Sequence, residues 1–568
     1  MALKWWQSAV FYVVYPRSFA DGNGDGIGDF AGLTEKLDYL QSLGVDALWL
    51  APHFPSPNWD WGYDISDYCD IGPEYGDLAA FKHFLDEAHA RGLRVILDLV
   101  LNHTSNQHPW FLESKSSRDN PKADWYVWVD APPNNWQSCF DGDAWTYEPQ
   151  RGQYYYHFFM KQQPDLNWRN PEVKQAMWQV VRFWLDLGVD GFRLDAVGAL
   201  YEDPAWTPHS VPLTLAELRY AAQTAQTPAQ KRRVGKYWSE IFKHQWGDPA
   251  LHNVLRELRA ILDEYPGERM LVGEDDNIEC MGNGNDELHM VFNFPLMRVD
   301  GPLTPAHIRK NQRERLAQLA KLPFGGWPCN TLGNHDTSRL YTRFSDGKHS
   351  AQLARLNAAM LLTLRGTPFL YYGDEIGMTD HLIEDPAMLR DTMALWYYER
   401  LINQFNVPPH EAARYAARES RDKCRTPMQW SAAPNAGFCP AEVTPWLPVN
   451  PNYKKGVNVA DQENDPHSLL NFYRRLLRLR KAFPALIEGD YVELLPRHKE
   501  VLAYLRASET QRILVLLNYS DRPQPIHLPR TLATRRLKTI FSSTERSDEE
   551  HPRHLTLAPF EIYLAELV

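Results

Sequence analysis

Eight short apolar runs, spread over residues 9–375, alternate with amphipathic stretches, and this alternation constrains the fold more than any other feature. The runs are AVFYVVYPRSF (9–19), DALWLAP (46–52), RVILDLVLNH (94–103), DGFRLDAV (190–197), RMLVGED (269–275), HMVFNFP (289–295), NTLGNHD (330–336) and TPFLYYGDE (367–375). Helix-like segments such as AGLTEKLDYLQSLG (31–44) and DLAAFKHFLDEAHARG (77–92) separate them, each ending near a glycine that can stop a helix. Strands that are apolar on both faces belong in a parallel sheet covered by helices. Eight such units predict an α/β fold, a (β/α)8 TIM barrel with insertions. The runner-up, an open doubly wound sheet, is weakened by the absence of a GxGxxG or phosphate loop.

Two connections are too long to be simple loops. One, 104–168, carries Trp110, Trp125, Trp128, Trp136, Trp145 and Trp168 and reads as an inserted domain. The other follows the eighth run, at about 377–460, and reads as a subdomain. From 485 to 568 the pattern changes to short alternating strands, DYVELL, VLAYLRAS, RILVLLNYS, QPIHL, HLTLAP and EIYLAEL, which predict a terminal antiparallel β-domain. The barrel would then comprise 1–103 and 169–484.

A net charge of −12 without a basic patch argues against nucleic acid and anionic membranes as partners. No segment is long and apolar enough to span a bilayer. The N-terminal stretch lacks the features of a signal peptide. The six cysteines form no CxxC pair, which argues against a zinc site; without an export signal, reduced thiols in a cytoplasm are expected, in a monomer or homodimer. The 20 Trp and 27 Tyr suit either core packing or stacking on sugar rings.

In a barrel the C-terminal strand ends form the active-site face. Polar sets cluster there: Asp98, Asn102 and His103; Arg193 and Asp195; Glu274; His335 and Asp336. A single buried acid at a strand end is more often structural. Three carboxylates converging with an arginine and two histidines are costly to bury unless paired or used. Glycosidic cleavage needs this set: one protonated carboxyl for the leaving oxygen, one carboxylate for the anomeric carbon, and a third acid for sugar hydroxyls. An arginine beside the nucleophile would lower its pKa.

DLVLNH, GFRLDAV, VGED and LGNHD, in this order and spacing, resemble the four conserved regions of glycoside hydrolase family 13, the α-amylase family. YPRSFADGNGDGIGDFAGL, QPDLNW (163–168) and RTPMQW (425–430) resemble its α-glucosidase and oligo-1,6-glucosidase branch, which also contains sucrose isomerases. The resemblance implies that Asp195 is the nucleophile, Glu274 the general acid/base and Asp336 the third carboxylate. It implies that Arg193 orients Asp195 and that His103 and His335 donate to hydroxyls. Asp60 and Tyr63 match the pair that grips the terminal glucose, with Tyr63 beneath its ring. Arg421 matches the arginine that closes the pocket, in preference to Arg425; its bland reading is a surface ion pair. Two further acids, Asp275 and Asp276, follow Glu274, and strand alternation turns Asp275 away from it.

These roles imply a retaining, exo-acting α-glucosidase on short oligosaccharides or α-glucosides. In this branch valine after the nucleophile goes with α-1,6 preference. Ala196 stands there, so α-1,4 links are expected to be favoured, although QPDLN leans the other way. The alternatives are a transglucosylase or isomerase of the trehalose synthase or sucrose isomerase type, and a non-catalytic sugar binder.

DGNGDGIGD (21–29) packs three aspartates, one asparagine and four glycines into nine residues. Asp21, Asn23, Asp25, the Ile27 carbonyl and Asp29 stand at positions 1, 3, 5, 7 and 9 of a calcium loop, with Gly26 at position 6. Position 12 is Gly32 instead of glutamate, and no helix precedes the loop, so it is no true EF-hand. A structural Ca²⁺, or Mg²⁺, is expected; the alternative is a metal-free glycine-rich turn. The branch carries a similar divalent-ion loop.

Overall fold

Each of the eight apolar runs forms a strand, and each strand is shorter than its run. The polar residues at the C-terminal ends leave the ladder and build loops instead. In the computed structural model, which describes residues 3–140, 142–299, 301–533, 535–549 and 552–568, the strands are β1 Phe11–Val14, β2 Ala47–Leu50, β3 Arg94–Leu99, β4 Gly191–Leu194, β5 Met270–Gly273, β6 Met290–Val291, β7 Cys329–Thr331 and β8 Thr367–Tyr371. All pairings are parallel, in the order β7-β8-β1-β2-β3-β4-β5-β6. A parallel bridge between Phe292 and Cys329 joins β6 to β7 and closes the barrel. Aromatic side chains fill the inside: Phe11 stacks on Phe369 at 4.4 Å, and Phe292 meets Phe369 at 5.0 Å and Trp49 at 5.7 Å.

The covering helices follow from local sequence. Asp77 caps helix Leu78–Ala90 by accepting from the Ala80 amide, and Phe81, Phe84, Leu85 and Ala88 form its buried stripe. Each large apolar side chain buried there contributes about 1.5–3 kcal/mol. Segment 31–44 is two helices, Phe30–Glu35 and Leu37–Leu43, because Lys36 leaves helical geometry between them. Gly191 opens β4 at φ 149°; a Cβ there would come within 2.1 Å of the Met270 carbonyl oxygen on β5.

Between β3 and β4 the chain forms helix Pro109–Ser114 and a three-stranded antiparallel sheet, Trp128–Val129, Gln153–Tyr156 and Trp145–Glu148 in spatial order. Trp136, Trp145, Tyr156 and Phe158 pack there against Ala196 and Ala199, just beyond β4. Between β4 and β5 lie two helices absent from the sequence reading, Leu215–Thr224 and Pro228–Ile241. Both begin with capping boxes, Thr214 with Glu217 and Thr227 with Gln230. After β8 come helices Thr392–Asn403 and Pro409–Glu419.

The C-terminal strands form a five-stranded antiparallel sheet and a separate pair, Gln524–His527 with His554–Leu557. One face of the large sheet joins the barrel core through Leu502, Tyr504, Ile513, Val515, Leu517, Ile562 and Leu564. The other buries Val501, Ala503, Leu514, Leu516 and Tyr563. One edge strand, Leu537–Ser542, escaped the sequence reading because only Leu537 and Phe541 are buried in it. No helix among the described residues is long and apolar enough to cross a membrane.

Candidate active site

Strand register brings the acids together. Asp98 on β3 pairs with Arg193 on β4, and Leu194 pairs with Gly273 on β5. Asp195 and Glu274 follow directly: the Asp195 amide donates to the Leu99 carbonyl at 3.1 Å and the Glu274 amide to the Leu194 carbonyl at 2.9 Å. Arg193 and Asp195 lie two apart, one on β4 and one just beyond its end, and their side chains meet.

Arg193, wholly buried, holds three carboxylates at once. Its Nη1 donates to Asp98 Oδ1 at 2.7 Å and Asp195 Oδ1 at 2.6 Å, and Nη2 lies 2.8 Å from Glu274 Oε2. Its guanidinium sits 4.9 Å from the Trp49 ring centre, and Trp49 Nε1 donates to Asp98 Oδ2. The Ala196 amide donates to Glu274 Oε2 at 3.0 Å, and Ala196 stands in a left-handed conformation, φ 39°. A non-glycine residue held there is strained, as functional sites often are.

These contacts set the protonation. Burial pushes Glu274 up to about 8, with Asp195 and Asp336 adding to the rise against Arg193. Asp275 and Asp276 are not among its main causes; Asp275 accepts from Trp246 Nε1, and Asp276 pairs with Arg298 at 2.5 Å. Asp195 corrects one expectation. Arg193 pulls it down as foreseen, yet burial wins and raises it to about 7, because the single guanidinium is shared by three acids. Asp336 behaves oppositely. Burial alone would raise it, but His335, Arg425, Arg421 and Arg193 together hold it well below the usual carboxylate range.

A cavity of about 450 Å³ opens above these acids, a size suited to a small molecule. Asp195, Glu274, Asp336, Asp60, Tyr63, His103 and Arg421 line it, with an aromatic wall of Phe140, Phe158 and Phe159 from the β3–β4 insertion. Two named residues lie behind the wall instead. Arg193 is under the acids. His335 is wholly buried between the Tyr63 hydroxyl, at 2.5 Å from its Nε2, and Asp336 Oδ2, at 3.2 Å. The Tyr63 ring stacks on His335. His103 Nε2 faces the Tyr63 carbonyl and the Gln163 amide, each at 3.1 Å. Burial lowers both histidines to about 3, so both are neutral at ordinary pH.

Arg421 is no surface pair. It lines the cavity, donating to Asp60 Oδ1 at 2.7 Å, with its guanidinium 5.1 Å from the Phe140 ring centre. Arg425 is fully buried and donates instead to Asp336 Oδ1 and the His335 carbonyl. Sequence reasoning missed Asp391 and Gln163. Asp391 accepts three bonds from Arg421, and Gln163 donates to Asp60 Oδ2. A lone aspartate in a long connection gives no motif to find, whereas Gln163 stands in the quoted QPDLNW segment.

In loop 21–29 backbone amides take up the carboxylates. Asp21 accepts from Gly24, Asp25 and Gly26, Asp25 from Ile27, and Asp29 from Gly22, Asn23 and Gly32. Asn23 Oδ1 accepts from the Asp25 amide. Asp29 thereby caps helix Phe30–Glu35. Gly26, at φ 93°, packs so closely that a Cβ would meet the Thr444 carbonyl oxygen at 2.4 Å. Among the described residues no three His, Cys, Asp or Glu side chains converge as metal ligands. The donors are nonetheless hard oxygens of the kind Ca²⁺ takes; Asp21 Oδ1 and Asp29 Oδ1 each accept two amides, whereas Asp21 Oδ2, Asn23 Oδ1, Asp25 Oδ1 and Asp29 Oδ2 accept one amide each and keep a lone pair.

Residues 13–489 match the family model of the alpha amylase catalytic domain, and 491–564 that of the maltogenic amylase C-terminal domain. The chain belongs to glycoside hydrolase family 13, the α-amylase family. As a family 13 enzyme it is 37% identical to an oligo-1,6-glucosidase of Parageobacillus thermoglucosidasius, over 99% of this chain and 98% of that one. It is 40% identical to a probable alpha-glucosidase of Rhizobium meliloti strain 1021, over 92% and 91%. Among solved structures, a variant of the isomaltulose synthase of Erwinia rhapontici NX5 in complex with its natural substrate sucrose superposes with TM-score 0.86 at 36% identity, over the whole of both chains. A trehalulose synthase variant in complex with Tris gives 0.87 at 36% identity, over 99% of this chain and 100% of that one.

Proposed function

We propose that this family 13 glycoside hydrolase is a retaining, exo-acting α-glucosidase that releases terminal non-reducing glucose from short oligosaccharides or α-glucosides. The observation that carries the reading is the Asp60–Arg421 pair in the cavity lining, which supports a blind end where a terminal sugar has no onward path. Asp195 is the nucleophile and Glu274 the acid/base. Both touch one guanidinium, which favours the close carboxylate spacing of a retaining pair. Glu274, the group pushed higher, keeps its proton over a range where Asp195 has lost its own. Glu274 protonates the leaving oxygen while Asp195 attacks the anomeric carbon; Glu274 then activates water that releases α-glucose. Asp336, kept ionised, accepts from sugar hydroxyls and stabilises the developing positive charge.

Ala196 lines the cavity beside the nucleophile, and its small side chain supports a preference for α-1,4 links. The names of the oligo-1,6-glucosidase relatives lean towards α-1,6 links. The sucrose-binding neighbours favour a second reading, a transglucosylase or isomerase on the same scaffold, in which a sugar replaces water as the attacking group. Rates and products on maltose, isomaltose and sucrose decide. Free glucose released fastest from maltose is the expected result. A strong isomaltose preference overturns the linkage assignment, and rearranged disaccharide as the main product overturns hydrolysis.

Loop 21–29 is assigned a structural Ca²⁺, held by Asp21, Asn23, Asp25, the Ile27 carbonyl and Asp29. Such an ion would neutralise the acidic turn and supply no chemistry at the cavity. Six free cysteines among the described residues support a reducing compartment, the cytoplasm.

A further inference from the structure

Arg421 is gripped from behind. Asp391, wholly buried, accepts from the Arg421 backbone amide at 2.7 Å, from Nε at 3.1 Å and from Nη2 at 2.8 Å. This leaves Nη2 to reach Asp60 and Nη1 to face Asp336, 3.7 Å away, on the cavity side. Asp391 is fixed in turn. It sits at the N-terminus of helix Thr392–Asn403, where its Oδ1 accepts from the Met393 amide, and its own amide donates to Asp422 Oδ2. The same turn clasps the loop that carries Asp60: Trp61 Nε1 donates to the Arg390 carbonyl, and the Thr392 hydroxyl to the Trp59 carbonyl, both at 2.6 Å.

We propose that Asp391 is a positioning residue, which presets Arg421 and, through the 390–392 turn, the Asp60 loop, so that the closed end of the cavity is formed before sugar arrives. An arginine side chain loses much rotamer freedom when it grips a ligand. Three bonds to one carboxylate take that loss in folding, and binding is then tighter by the same amount. Asp391 itself stays ionised: burial alone would raise its pKa, but Arg421 holds it below the ordinary value. The role rests on the reading of this cavity as the seat of a terminal glucose.

Asp391→Ser and Asp391→Asn both retain an oxygen to cap the helix and lose the carboxylate. With p-nitrophenyl α-glucoside, KM is expected to rise about tenfold or more, since small displacements of a binding group are costly. Turnover at saturation should stay within about threefold, because the reacting atoms are untouched. Titration calorimetry with glucose should show the same loss of affinity, a readout independent of turnover. In an Arg421→Ala background the Asp391 substitutions should add little, the mark of two residues acting as one. Unchanged KM and glucose affinity, or fully additive effects, would overturn the proposal. If both variants fold poorly, Asp391→Glu keeps the charge and displaces Arg421, so its KM should rise; an unchanged value is equally fatal. A wild type that turns over no α-glucoside would instead strike at the reading of the cavity.

Discussion

At the residue scale everything converges on Arg193. Its one positive charge stands against Asp98, Asp195 and Glu274, so burial leaves Asp195 near 7 and Glu274 near 8. In the proposed mechanism Asp195 works ionised and Glu274 protonated, so the rate should fall as pH drops through about 7 and as it rises through about 8. The two limbs belong to the pair as a whole. A pH profile of kcat/KM checks this; a plateau extending down to pH 5 would contradict it. Asp195→Asn should cut turnover by on the order of 10⁴ or more with the fold intact, measured beside circular dichroism. Arg193→Ala would strand buried carboxylates and cost about 3–5 kcal/mol in denaturant unfolding. Asp195, Glu274 and Asp336 were legible because each stands towards the C-terminal end of an apolar run. The burial that decides their protonation was not, because it depends on how many acids one arginine serves. Asp391 was invisible for a related reason: its role is written in its contact with Arg421, 30 positions away.

At the element scale, strand ends and loops divide the labour. β3, β4 and β5 present acids in register, which the apolar runs foretold; helices Leu215–Thr224 and Pro228–Ile241 were announced only by capping boxes. Loop 21–29 answers its own repulsion partly through backbone amides, so removal of a bound cation should loosen it without reaching the cavity. A chelator is expected to lower the melting temperature and leave kcat unchanged at a temperature where the fold persists. Loss of kcat from an intact fold would contradict that. Gly26→Ala should cost about 1–3 kcal/mol, since it combines strained backbone with a clash against Thr444.

At the scale of the whole molecule, the insertion after β3 supplies the aromatic wall and the segment after β8 supplies Arg421 and Asp391, so the cavity is complete only when distant parts of the chain meet. The C-terminal sheet shares the barrel core. Arg506, wholly buried, donates to the Thr363 and Leu486 carbonyls, and Arg309 to that of Val501. A chain truncated after residue 484 should therefore aggregate or melt far lower than the full chain, as light scattering and calorimetry would show. The central claim is that Asp195 and Glu274, bracketed by one guanidinium, cleave α-glucosides with retention at the anomeric carbon. Proton NMR of maltose hydrolysis, read before mutarotation, tests it most directly. Newly released α-glucose appearing first is the predicted result; β-glucose appearing first, or no glucose at all, would contradict the account.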